Sequence, residues 1–334
     1  VAGGNPEKLP PVTLAHNLAK ERSMTTPRSS AGVASQLLSR RIAQTRKLGS
    51  AYILLAPFII LFLIFIVWPI LYSLYLSFTD YSGVKPAVFN GIDNYTRMVG
   101  DERFVKALTN TIAYVLAIVI LNSIVGLGLA MAFRAPTLLN QICRAMFFLP
   151  AVTSTVAVSV LWRIIFTSED FGLANTILHF FGQPSISFFS RQEWTLPIIV
   201  LVTLWGGVGS TMIIFLAGLQ SIPHDLIEAA AIDGAQSGQR FWFITLPLLR
   251  PTTLYVIITG TIGAFQIFDV VYLMYPAVGN VGGPLDSALF IVPYLYDRGF
   301  NRFQLGYASS IAWVLFIIIF ILTLINLRLG REKA

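Results

Sequence analysis

Few side chains in this sequence could act as acids, bases, nucleophiles or ligands. The three histidines, His16, His179 and His224, are scattered, and Cys143 is the sole cysteine. Such a set offers neither a metal cluster nor a nucleophile–base pair, and a lone thiol rules out an intrachain disulfide. None of the lysines, at 8, 20, 47, 85, 106 and 333, follows a glycine. A P-loop needs Gly-Lys-Ser/Thr after a glycine-rich turn to hold phosphates. The sequence therefore predicts no cofactor and no catalytic residue on this chain. What remains is hydrogen-bonding chemistry at a few polar positions inside apolar runs. Gln266 and Asp269 stand one helical turn apart in one run and could exchange hydrogen bonds with a polar ligand. Trp205 and Tyr272 are the aromatic rings that could lie against an apolar face of such a ligand. Each has a plainer alternative: capping or interhelical bonding for the polar pair, interface anchoring for the rings. Arg163, the other charge within a run, lies beside Trp162 and can snorkel to the interface.

The elements that would position these residues follow from composition. The chain has 334 residues, of which 55% are hydrophobic and 12% charged, with mean hydropathy +0.72. An ordinary soluble domain is about 25% charged, so this surface needs lipid around much of it. That excludes a disordered protein, a coiled coil and most soluble enzymes. The net charge of +7 does not indicate nucleic acid, because the basic residues sit in short segments between apolar runs. Six runs, at 51–77, 108–132, 145–166, 195–218, 251–273 and 305–327, meet the ~20 residues a helix needs to cross a bilayer. Barrel strands would alternate over ~10 residues, whereas 53–67 is apolar at nearly every position. The fold class is all-α: a polytopic membrane protein with six transmembrane helices in a domain spanning 50–330.

Orientation follows from Lys and Arg. With six spans, one side holds both termini and fifteen basic residues, and the other holds seven. The excess puts both termini in the cytoplasm of a multi-pass inner-membrane protein. Residues 1–49 form a basic cytoplasmic tail, of which 1–23 either precede a start at Met24 or belong to the flexible tail. Residues 35–47 could lie as a helix on the membrane surface. Small residues recur as Gly126-x3-Ala130, Gly128-x3-Ala132 and Gly206-x3-Ser210. They allow close helix packing, or, in the Gly206-Gly207-Val208-Gly209 group, a hinge.

The segment 219–250, between spans four and five, is too long for a hairpin turn and too rich in helix formers for a linker. Pro223 suits a helix start, Asp233-Gly234 a helix stop, and Pro247 and Pro251 redirect the chain. The pattern predicts a short helix, a tight bend and a second short helix, either a knob for a partner or an interfacial helix pair. Glu228-Ala229-Ala230-x-x-Asp233-Gly234-Ala235, followed by Phe241, Ile244, Leu246-Pro247 and Pro251, resembles the EAA coupling loop of ABC-importer permeases. Trp68-Pro69 with Ser77-Phe78-Thr79-Asp80-Tyr81, then Gly91-Ile92-Asp93-Asn94-Tyr95 and Phe265-Gln266-Ile267-Phe268-Asp269, are similar to segments of the sugar permeases of the maltose and glycerol-3-phosphate type. The stretch 276–284 departs from that pattern, being longer and less regular than the short glycine-rich sequence of the family.

The resemblance implies an ATP-driven importer subunit that moves a sugar or oligosaccharide by alternating access. It implies a second, related permease chain, two cytoplasmic ATPase subunits carrying MgATP, and an extracytoplasmic sugar-binding protein. Glu228, Ala229, Ala230, Asp233, Gly234 and Pro247 would then be the coupling residues, and Gln266, Asp269, Trp205 and Tyr272 the substrate path. The alternatives are an ion-gradient-driven secondary transporter, which would need ionisable groups near the midplane, and a receptor or scaffold without flux.

Overall fold

Apolar runs become helices here because lipid offers the backbone no hydrogen-bond partners. The computed structural model describes residues 54–168, 172–275 and 281–331, with side chains through 328. The basic tail, the surface helix expected at 35–47 and the stretch 276–280 lie outside the described residues.

The chain divides into two compact units between Ile70 and Leu71. The first contains the start of α1 (Leu54–Ser77), with a π-helical turn at Leu63–Val67. Phe58, Ile60 and Phe65 are exposed there, and a helix apolar all round is a lipid-facing one. In the second unit, β1 (Thr79–Asp80) pairs antiparallel with β2 (Val88–Phe89). The helices that follow are α2 (Asp93–Val99), α3 (Glu102–Ala132), α4 (Leu138–Phe148), α5 (Thr155–Ile165), α6 (Leu173–Phe180) and α7 (Gln192–Gln220). Then come α8 (His224–Ile232), α9 (Ser237–Leu248), α10 (Arg250–Phe265), α11 (Asp269–Met274), α12 (Ile291–Tyr296) and α13 (Leu305–Arg331).

Among the described residues, four helices, α1, α3, α7 and α13, are each long and apolar enough to cross a membrane. Two bent pairs bring the number to six if each is one span: α4 with α5, bent by 99°, and α9 with α10, bent by 64°. The run at 145–166 is therefore not one straight helix. Pro150 opens a 3-10 turn, Leu149–Val152, and Thr153 is extended at φ −82°, ψ 147°. Proline lacks the N–H that would continue the helical ladder. The run at 251–273 also departs from expectation. Its helix ends at Phe265, and Phe268, at φ −137° and ψ −63°, separates it from α11.

Lipid tails are as apolar as leucine, so helix association in a membrane rests on close packing and interhelical hydrogen bonds. Both hold α3 to α7. A Cβ on Gly126 would come within 2.6 Å of Thr211 Cγ2, and Asn122 Nδ2 donates to Thr211 Oγ1 at 3.0 Å. Gly209 lets α7 touch the end of α4, because a Cβ there would run into the Phe147 carbonyl. Gly128 and Gly206 meet nothing within 4 Å, and α7 runs unbroken through its glycines. Packing, not a hinge, is thus what Gly126 and Gly209 provide in this conformation. Toward the N-terminal ends of both helices, Tyr114, Val115 and Ile118 of α3 join Ile198, Ile199 and Val202 of α7 in a core completed by Val271, Met274, Phe290 and Tyr294. Two motifs quoted from the sequence meet here: Asn94 Nδ2 donates to the Ser77 and Thr79 carbonyls at 3.0 and 2.9 Å, and Tyr95 Oη donates to Ser77 Oγ at 2.8 Å.

Candidate functional site

The segment between α7 and α10 is a helix–turn–helix. Asp225 sits in the first turn of α8, where a negative charge suits the helix dipole. His224 Nδ1 and Glu228 Oε1 lie 2.9 Å apart, one turn along an exposed face. α8 ends in a Schellman motif: Ala235 N–H donates to the Ala230 carbonyl at 2.9 Å and Gly234 N–H to the Ala231 carbonyl at 3.1 Å. The motif needs a left-handed residue, and Gly234 has φ +84°. Gln236 and Gln239 then form a capping box that starts α9.

Glu228, Ala229, Asp233 and Gly234 are exposed, while Ala230 and Pro247 are half-buried. The first five share α8 and its C-terminal turn; Pro247 lies at the far end of α9. Phe241, Ile244 and Thr245 turn toward the protein, leaving Trp242 and Phe243 outward at 63% and 78% exposure. A shallow cavity of about 390 Å3 opens between the two helices, lined by Asp233, Gly234, Arg240, Phe243 and Ile244 among others. Apolar side chains held outward beside a concavity suit a partner surface.

Gln266 and Asp269 are both exposed. They are not on one continuous helical face: Gln266 caps the end of α10 and Asp269 opens α11. Neither side chain makes a hydrogen bond or ion pair among the described residues. Tyr272 stacks on Phe268 with centroids 5.1 Å apart, close in the chain to that polar pair. Trp205 belongs elsewhere, edge-to-face with Trp162 at 5.8 Å.

Sequence reasoning missed a cavity of about 280 Å3 between α3, α7 and α10. Tyr114, Asn122 and Thr203 are its polar lining, and Gly260 and Gly263 leave room for it by carrying no side chain. Asn122 Oδ1 is buried there without a hydrogen-bond partner. The signal was present as an amide in the middle of an apolar run, but attention to charges alone passed over it.

A second feature missed is a polar network at the N-terminal end of α3. Asp101 Oδ1 caps the helix, accepting from the N–H groups of Arg103 and Phe104 at 3.0 and 3.3 Å. Its Oδ2 accepts from Tyr307 Oη at 2.8 Å, from Arg298 Nη2 at 3.3 Å and from Tyr294 Oη. Burial alone would raise the Asp101 carboxyl. The tyrosine hydroxyls, the Phe104 N–H and the Arg298 charge outweigh burial and hold it below the usual carboxylate range. Arg103 grips Asp286 with two bonds of 3.0 and 2.8 Å and donates to the Val281 carbonyl at 3.0 Å. Asn110 Nδ2 donates to the Asp286 and Leu289 carbonyls at 2.9 and 3.0 Å. The loop before α12 is thereby tied to α3, with Leu285 and Asp286 kept in left-handed conformations, φ 51° and 57°.

Comparisons with known proteins agree with this architecture. The chain is 40% identical over 290 residues to the probable ABC transporter permease protein YesP of Bacillus subtilis, covering 86% of this chain and 91% of that one. It is 34% identical over 287 residues to the arabinooligosaccharides transport system permease protein AraP of the same organism, covering 85% and 89%. Its fold matches, with TM-score 0.76 at 23% identity over 87% of this chain and 96% of the other, a chain of a bacterial alginate ABC transporter crystallised with an alginate pentasaccharide-bound periplasmic protein. Residues 124–331 match the family described as binding-protein-dependent transport system inner membrane component, and the chain belongs to that family of inner-membrane permease subunits.

Proposed function

We propose that this chain is one transmembrane subunit of an ATP-driven importer that takes a saccharide from a binding protein and carries it inward by alternating access. The observation that carries the reading is how the exposed helix–turn–helix is wired to the cavity. α7 runs from Thr203, on the cavity wall, to Gln220, a distance of about 25 Å at ~1.5 Å per residue. After α8 and α9 the chain returns along α10, which supplies Gly260, Gly263 and Ala264 to the same wall. A displacement of the 224–248 segment is thus passed to two sides of the cavity.

Glu228, Ala229, Ala230, Asp233, Gly234 and Pro247 are the coupling residues in this reading, facing two cytoplasmic ATPase subunits that bind MgATP. The basic excess on the side of the termini supports placing them, and the segment, in the cytoplasm. Gln266, Asp269 and Tyr272 line the outer part of the path and Asn122 and Thr203 its middle, with Trp205 at its edge. A second permease chain completes the channel, and residues 50–330 act as the permease domain behind the 1–49 tail. The names of AraP and of the alginate transporter support a saccharide as the cargo and an extracytoplasmic binding protein as its source.

The test is uptake into proteoliposomes that contain the assembled importer. Uptake that requires both ATP and the binding protein, and persists with an ionophore, is expected. Uptake that proceeds without ATP and collapses with the ionophore would establish a secondary transporter instead.

A further inference from the structure

The outer end of α10 carries a feature that the coupling mechanism does not use. Four aromatic rings from two separate segments form one continuous run. Phe268 stacks on Tyr272 at 5.1 Å. Tyr296 meets Phe268 at 5.2 Å and Tyr272 at 5.4 Å. Phe300 stacks on Tyr296 at 5.1 Å and is 61% exposed. The Tyr296–Phe300 side is held rigid by Asp297, which accepts from Arg302 Nε at 2.8 Å and from Asn301 Nδ2 at 3.1 Å.

Flanking Phe268 in the chain are Gln266 and Asp269, exposed and without a partner among the described residues. An unpaired carboxylate is costly against hydrocarbon, so this face meets water and not lipid. A run of ring faces bordered by an amide and a carboxylate on a wet surface matches a carbohydrate. Ring faces cover the apolar C–H side of a sugar ring, and the polar pair exchanges hydrogen bonds with its hydroxyl edge. The charge decides the class further. Among the described residues, Asp269 is the acidic group flanking the rings that has no partner, and it would repel an anionic ligand. Arg298, adjacent in the chain to Asp297, is instead turned to Asp101 and Tyr294.

We propose that Phe268, Tyr272, Tyr296 and Phe300, with Gln266 and Asp269, form an outer subsite for one unit of a neutral saccharide, separate from the cavity at Asn122. This rests on the saccharide-importer reading and names the substrate class as uncharged. The site takes the sugar where it leaves the binding protein. Because its two halves come from the 266–274 and 296–300 segments, a bound sugar also holds those segments together.

Saturation-transfer NMR on the complete importer in nanodiscs tests it without any need for turnover. The probes are the neutral trisaccharides maltotriose, arabinotriose and raffinose, and an anionic mannuronate trimer. At least one neutral probe should show saturation of its C–H protons, and the mannuronate trimer should show none. Tyr272→Ala with Phe300→Ala should reduce the neutral signal at least fivefold, whereas Tyr272→Phe, which keeps the ring, should preserve it. Asp269→Asn should weaken the neutral signal and relieve the exclusion of the anion. No signal from any neutral probe, an equal signal from the double variant, or a stronger signal from the anion overturns the subsite. ATP-dependent uptake, measured in parallel, separates the two ideas. Intact uptake without ring-dependent binding refutes the subsite alone, and ring-dependent binding without ATP-dependent uptake refutes the importer reading.

Discussion

Asn122 and Thr211 are joined by a 3.0 Å hydrogen bond from Nδ2 to Oγ1 across the α3–α7 interface. The bond uses half of the amide and leaves Oδ1 buried and unpartnered at the cavity wall. An interhelical bond in a membrane contributes only about 0.6–2 kcal/mol, and the orphaned oxygen costs a comparable amount. Asn122→Leu should therefore change the Tm in detergent by no more than a few degrees while placing an apolar side chain on the wall of the proposed path. Uptake by the assembled importer should fall at least tenfold. Unchanged uptake would remove Asn122 from the path.

The glycines of α7 and α3 separate packing from helix propensity. Gly209→Ala puts a methyl group into the Phe147 carbonyl, and backbone cannot rotate aside as a side chain can. Overpacking of this kind costs about 1–3 kcal/mol, so the Tm should drop. Gly128→Ala meets nothing within 4 Å and gains up to about 1 kcal/mol of helix propensity. Thermal melts of the two variants should move in opposite directions.

Asp101 makes stability pH-dependent on the acid side. Its folded-state carboxyl lies below the usual range, and the unfolded value is ~3.9. A depressed carboxylate contributes stability above the unfolded value and loses it as pH falls through the folded value. The wild type should lose Tm progressively below about pH 4. Asp101→Asn should be less stable at pH 7, because two tyrosines and Arg298 lose their shared acceptor, and its Tm should vary less between pH 3 and 5. Parallel acid limbs in both proteins would show that Asp101 is not the titrating group.

The parts of this structure that were legible in the sequence are those governed by local rules. Apolar length located the four long helices and the two bent pairs, and Pro223, Asp233-Gly234 and Pro247 marked the helix–turn–helix because proline and glycine act on their own backbone. The bend at Thr153 was hidden because Leu149, Ala151 and Val152 around Pro150 are as apolar as the helices they separate. The break after Phe265 carries neither glycine nor proline in Gln266-Ile267-Phe268, so an uninterrupted turn from Gln266 to Asp269 was the natural expectation. The Asp101 network and the Arg103–Asp286 pair join residues about two hundred positions apart, and no local pattern announces such pairs. Tyr296 and Phe300 were invisible as neighbours of Tyr272 for the same reason.

The measurement that bears most directly on transport by this chain is the ratio of saccharide imported to ATP hydrolysed in proteoliposomes containing Glu228→Arg or Gly234→Trp. Glu228 is exposed on α8, so its reversal leaves the fold intact while inverting the charge on the face proposed to meet the ATPase. Gly234 has open space around it and φ +84°, so tryptophan there strains the turn and adds bulk to the face proposed to meet the ATPase. Both variants should insert and assemble, retain basal ATP hydrolysis, and lose at least nine-tenths of their uptake per ATP. Normal uptake per ATP in both would contradict the assignment of the 224–248 segment as the link between ATP hydrolysis and the transport path.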